Sequence, residues 1–211
     1  MESYRAAARP ATAEIVQKKS RFIAYVEPVE QVEQAEAMLE RIRGAHPDAT
    51  HVCYAYRTGR PSLVVRMSDD GEPQGTAGRP ILEVMERQDV ENTCIAVVRY
   101  FGGTLLGAAG LVRAYAAAAA AGLEAAGIAT YVLHAALKAR IEYTYFGKVE
   151  RLLEALSARV VDANYSDSVE VQLVTPAVRV DAVIQGILNA TNGTATIHRM
   201  EDRFFPLEQA T

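Results

Sequence analysis

A chain of 211 residues, half of them hydrophobic and 23% charged, has the composition of a folded globular protein rather than a disordered one. Its net charge of -4 excludes a protein that coats nucleic acid through bulk positive charge, so any phosphate binding must be local. Two cysteines without a CxxC pair or metal-ligand spacing exclude a disulfide framework and a zinc site, and Cys53 and Cys94 read as buried thiols of a reducing cytoplasm.

The length favours two domains over one, each able to bury a core without covalent staples. Met1 to Pro10 lacks the apolar run and the small-residue cleavage site of a signal peptide, so no export is expected. Glu14 to Glu27 is apolar and β-branched with a break at Lys18-Lys19-Ser20, which predicts two strands or a bent hairpin ending at Pro28. Val29 to Gly44 predicts a helix: Val32, Ala35, Leu39 and Ile42 recur at helical spacing, acids come early, and Arg41 and Arg43 come late. Thr50 to Arg57 and Ser62 to Arg66 predict a hairpin around Thr58-Gly59-Arg60-Pro61, followed by a polar loop to Pro80. Pro80 suits the first turn of a helix running through Gln88.

Thr93 to Tyr100 is apolar on both faces and predicts a central, covered strand. The alanine-rich stretch from Leu105 to Ala126 carries Arg113 and Glu124, so it reads as a close-packed helix ended by Gly127 and not as a membrane span. A compositional shift at about residues 128 to 133 places the domain boundary near 130, giving domains 1–130 and 131–211. The second half then reads as a strand at Leu133 to Tyr143, a helix at Phe146 to Ala158, and strands at Val160 to Tyr165 and Ser168 to Val174. A helix at Ala177 to Ala190 and a strand at Thr194 to Arg203 complete it, with turns at Asp167 and Asn192-Gly193. This βαββαβ order is the ferredoxin-like arrangement, and the fold class is α+β.

Chemistry concentrates between residues 66 and 113, where glycines, acids and arginines interrupt the apolar segments. Arg99 to Arg113 joins a strand, a Gly102-Gly103 turn and a helix N-terminus: glycines that permit close approach, amides and two guanidiniums. The spacing fits neither a Walker loop nor a GxGxxG fingerprint. Two readings stand side by side, an anion site and packing glycines with Arg99 paired to a carboxylate. The acids Asp69, Asp70 and Glu72 read first as a turn paired with Arg66 or Arg79, and second as ligands of a divalent cation; EF-hand spacing is absent.

His51 and Cys53 alternate along one strand and share a face, as a thiol and base would, yet no GxSxG-type motif accompanies them. His46, His134 and His198 stand alone and read as surface or capping residues. Lys18, Lys19 and Arg21 read as an exposed basic turn, and Tyr25, Tyr54 and Tyr56 as core aromatics, whereas Tyr100-Phe101 beside Arg99 has the makings of a base-stacking element.

The runs Lys19 to Ala24, His51 to Arg57, Ser68 to Pro80, Arg99 to Gly103 and Leu106 to Tyr115 resemble the IMPACT family, including its bacterial YigZ-like members, and the second half resembles the C-terminal domain of those members. Arg-Tyr-Phe-Gly-Gly and Ser-Asp-Asp-Gly-Glu-Pro carry most of the likeness. Ala109 stands where the family often has glycine, and Val52 where a polar residue is frequent. The resemblance implies an N-terminal domain like the fourth domain of elongation factor G, a ribosomal protein second-domain-like fold, and a ferredoxin-like C-terminal domain resembling its fifth. It also implies a link to translation, since eukaryotic members act in translational control and bind a ribosome-associated regulator.

The combined expectation is a non-enzymatic cytoplasmic protein that binds RNA or the ribosome, with a translation-related protein as a further partner and without metal or cofactor. Its phosphate- or RNA-reading surface comprises Arg79, Arg99, Tyr100, Phe101, Gly102, Gly103 and Arg113. The alternatives are a metal- or phosphate-dependent enzyme using Asp69, Asp70 and Glu72, and a protein-interaction module.

Overall fold

The computed structural model describes residues 3–59 and 62–207, which fall into two compact units, Tyr4–Thr130 and the chain from Tyr131 onward. Arg60 and Pro61 of the anticipated hairpin turn lie outside the described residues. The class is α+β, with a five-stranded and a six-stranded sheet and five α-helices among the described residues.

The chain begins with β1 (Ser3–Ala7), a strand of the six-stranded sheet, followed by β2 (Ala11–Gln17) and β3 (Ser20–Pro28). Then come α1 (Val32–Ala45), β4 (His51–Thr58), β5 (Val64–Ser68), α2 (Gly78–Arg87), β6 (Thr93–Tyr100) and α3 (Ala108–Ala126). Five strands form an antiparallel sheet in the order β2-β3-β6-β4-β5. β6 is central and buried from Thr93 to Arg99, as its apolarity on both faces requires. Strand alternation sorts the core into two layers. Phe22, Ala24, Val26, Cys53, Ala55, Ile95 and Val97 pack with residues of α2 and α3. Ile23, Val52, Tyr56, Cys94, Ala96 and Val98 pack under α1.

The alanines of α3 bring that helix close to the sheet, and at Gly122 even a methyl has no room: a Cβ there would sit 2.8 Å from Val26 Cγ2. α1 begins three residues later than the periodicity suggested, because Val29 continues the extended chain and gives its N–H to the Asn92 carbonyl. Among the described residues no helix is long and apolar enough to cross a membrane.

The second unit takes β7 (Ile128–Ile141) from Tyr131 onward, then α4 (Tyr143–Ala155), β8 (Arg159–Tyr165) and β9 (Val169–Pro176). A 3-10 turn at Ala177–Arg179, α5 (Val180–Ala190), β10 (Thr196–Arg199) and β11 (Arg203–Pro206) complete it. β7 pairs β9, β9 pairs β8, and β10 pairs the far side of β7, which is the ferredoxin-like order. Leu137, Ile141, Leu153, Leu173 and Ile187 are the large side chains of its core.

The last strand is interrupted where one continuous strand was expected. β10 pairs Leu137–Arg140 and β11 pairs Tyr131–His134, while the intervening turn is held by an Arg199–Asp202 ion pair at 2.8 Å. β7 starts at Ile128 and α4 at Tyr143, both earlier than expected. α4 ends in a Schellman-type cap, with Ser157 at φ 56° and the Ala158 N–H on the Leu153 carbonyl.

Candidate functional site

The polar loop between β5 and α2 is folded around its own acids. Asp69 Oδ2 accepts the Gly75 amide at 2.8 Å, and Oδ1 accepts those of Ala77 and Gly78 at 3.0 and 2.9 Å. Burial opposes ionisation of Asp69, yet these three amides outweigh it and hold the carboxyl below its ordinary value. Asp70 Oδ2 accepts the Val52 amide at 2.6 Å, tying the loop to β4. His51 Nδ1 lies 2.7 Å from the Asp70 carbonyl, an acceptor only, so Nδ1 carries the proton and Nε2 faces Glu72 Oε2 at 3.8 Å. Asp69 and Asp70 are therefore occupied with backbone.

Glu72 points inward. Its Oε1 accepts Arg99 Nη1 at 2.5 Å and the Tyr115 hydroxyl at 2.8 Å, and the Glu72 and Arg99 side chains are 3% and 7% exposed. Register explains the meeting: Arg99 pairs with Phe22 on one side and His51 on the other, so it shares the sheet face that α3 covers, where Tyr115 stands. The Arg99 guanidinium lies 5.5 Å from the Phe22 ring centre and 5.7 Å from that of Phe101, within cation–π range of both. Its Nε is buried and has no hydrogen-bond acceptor among the described residues.

Cys53 Sγ lies 3.0 Å from the Asp69 carbonyl and 3.3 Å from the Tyr115 oxygen, and burial pushes its pKa up to about 12. Burial likewise drives the Tyr115 hydroxyl far above its ordinary range. A protonated thiol of this kind is a packing group and not a nucleophile. Tyr115 was the member that sequence inspection missed, although the only hydroxyl on the buried face of an alanine helix calls for a polar partner.

Above this buried cluster lies an exposed turn. Gly102 sits against the β2–β3 hairpin so tightly that a Cβ would fall 2.0 Å from Lys19 C, and its N–H donates to Ser20 Oγ at 3.1 Å. The Phe101 amide donates to Thr50 Oγ1 at 3.1 Å, leaving the Phe101 ring 48% exposed. The backbone opens at Gly103 and Gly107 (φ 79° and 73°), with Leu105 between them 81% exposed, and the Gly103, Thr104 and Leu105 amides bond no group among the described residues.

The anticipated surface is thus divided. Phe101, Gly102 and Gly103 share the exposed turn, and Arg99 lies beneath it. Tyr100 points to the opposite sheet face, where its hydroxyl lies 2.7 Å from His46 Nδ1, while Tyr25 holds Nε2 of the same ring at 2.7 Å. Arg79 is exposed on α2 and paired with Glu83 and Glu86 of its own helix. Arg113 is exposed on α3 and makes no ion pair among the described residues.

Fold and site together define a two-unit α+β protein in which an internally paired Glu-Arg-Tyr cluster supports an exposed aromatic and glycine turn. A family model described as the Impact N-terminal domain matches residues 18–123, and one described as a domain of unknown function (DUF1949) matches residues 140–194. The IMPACT family member YvyE of Bacillus subtilis is 36% identical over 188 residues, 89% of this chain and 87% of that protein. The IMPACT family member YigZ of Escherichia coli is 33% identical over 204 residues, 96% of this chain and all of that protein. Protein IMPACT of Rattus norvegicus is 34% identical over 100 residues, 45% of this chain and 31% of that protein. A crystal structure titled as that of a hypothetical protein superposes with a TM-score of 0.63 at 33% identity, covering 95% of this chain and 98% of its own. The chain belongs to the IMPACT family.

Proposed function

We propose that this chain is a non-enzymatic cytoplasmic protein that binds RNA, in the first instance ribosomal RNA, and so acts in translation. The single observation that carries the reading is the Phe101 ring, nearly half exposed on a turn whose backbone is anchored on both sides. An exposed aromatic on a rigid support suits stacking with an unpaired base, and the amides of Gly103, Thr104 and Leu105, unbonded among the described residues, suit an adjoining phosphate. Arg99 serves this surface from below, by holding the turn, while Arg79 is already shared with two carboxylates. The translational role implied by the family supplies the source of the RNA.

An acid-base or metal-dependent enzyme draws no support from the loop, because Asp69, Asp70 and Glu72 all have internal partners. The test is binding to ribosomes and to short single- and double-stranded RNA across a salt series, alongside Phe101→Ala. Saturable binding that falls with salt is expected, and loss of one stacked base weakens it by about 1–3 kcal/mol. Absence of binding at low salt overturns the reading.

A further inference from the structure

Two of the chain's four lysines, Lys18 and Lys19, occupy a single two-residue turn. Gln17 pairs with Ser20, so the two lysines alone close the β2–β3 hairpin, with φ of 45° and 67°. Both central residues of such a turn lie in the left-handed region, where Asn-Gly is the favoured pair and a residue with a β-carbon is strained. The chain places lysine at both positions. Side chains placed where the backbone disfavours them point to a role for the side chains themselves.

Their charges are unspent. Arg21, two residues on, is held at both ends, by Glu14 at 2.8 and 3.0 Å and over the Tyr100 ring at 5.6 Å. Lys18 and Lys19 are exposed and make no ion pair among the described residues, and the nearby acid Glu14 is already taken by Arg21. The turn is also fixed in place: the Lys19 backbone lies directly against Gly102, the residue after Phe101. The backbone of a turn that carries two lysines therefore lies against the residue following an exposed aromatic, in a protein whose overall charge is negative.

We propose that the Lys18-Lys19 turn is a phosphate-binding site for the sugar-phosphate backbone of single-stranded RNA whose base stacks on Phe101. The proposal rests on the RNA-binding reading above and adds to it the residues that supply the charge. Lysine suits this task as a mobile point charge without a fixed hydrogen-bonding direction, compatible with any sequence.

The experiment compares the native chain with Lys18→Asn/Lys19→Gly, Lys18→Gln/Lys19→Gln and Phe101→Ala, using labelled single-stranded oligouridine over a salt series together with thermal melts. Both double variants are expected to bind more weakly at low salt. Their slope of log affinity against log salt should shrink by about 1.4, the value for two lost contacts on a single strand. The Asn-Gly variant should also melt a few degrees higher, because it relieves the strained turn, whereas the Gln-Gln variant should not. Phe101→Ala should weaken binding with the slope nearly unchanged.

If both double variants keep native affinity and slope while Phe101→Ala binds weakly, the RNA reading stands and the lysine proposal falls. If the native chain does not bind the RNA, the functional reading falls and takes this proposal with it. An Asn-Gly variant that melts no higher than the native chain overturns the claim that the lysines are held against the backbone's preference.

Discussion

Arg99 carries the most consequential interaction at the scale of single residues. Breaking a buried ion pair by removing one partner leaves the other charge uncompensated, at a cost of about 3–5 kcal/mol. Arg99→Ala and Glu72→Gln should each lower the urea midpoint of the first unit accordingly, whereas Arg79→Ala, on the surface, should shift it by less than about 1 kcal/mol. Equal effects at Arg79 and Arg99 would contradict the assignment of Arg99 to the interior.

Cys53 gives a second residue-scale prediction. Its pKa rises from an ordinary value near 9 to about 12 on folding, so the folded state holds the thiol proton more tightly. That contribution to stability is complete below pH 9 and is lost as pH rises from there towards 12. Iodoacetamide at pH 8 should accordingly leave Cys53 unmodified in the folded protein and alkylate it in urea. Rapid alkylation of the folded chain would refute the buried, protonated thiol. The importance of Arg99 was legible in the sequence, but its direction was not. β6 is apolar on both faces, so only the register with Phe22 and His51 assigns its arginine to the α3 side and its neighbour Tyr100 to the α1 side.

Among elements, the strands and helices followed from periodicity, while their ends were set by contacts distant in sequence. Val29 was drawn into the extended chain by the Asn92 carbonyl, whereas the break in the final strand is a local turn closed by the i,i+3 Arg199–Asp202 pair. The cap of α4 uses a serine where glycine is the natural occupant, so Ser157→Gly should stabilise the second unit by about 1 kcal/mol in urea unfolding. Gly102 makes the opposite prediction. A methyl there meets the Lys19 backbone at 2.0 Å, so Gly102→Ala should cost about 1–3 kcal/mol and detach the turn from the hairpin. Its amide reads as ligand-facing in sequence, but Ser20, remote along the chain, already takes it.

The whole molecule comprises two units, each with its own hydrophobic core, and each carries a different family-model match. This architecture was legible because amphipathic patterns and the βαββαβ order are local properties of sequence. The candidate surface was legible only in part. Which arginine is spent internally depends on Glu72 and Tyr115 converging from a loop and a helix. What remains exposed is a short aromatic turn packed on a hairpin whose two lysines make no ion pair among the described residues, on a molecule of net charge -4, so binding should be local and dependent on salt. The most direct measurement is titration of the native chain and Phe101→Ala with purified ribosomes and single-stranded RNA from low to physiological salt. The account predicts saturable binding that weakens with salt and with the mutation while the melting temperature holds. Binding that is absent at low salt, or indifferent to Phe101, would contradict it.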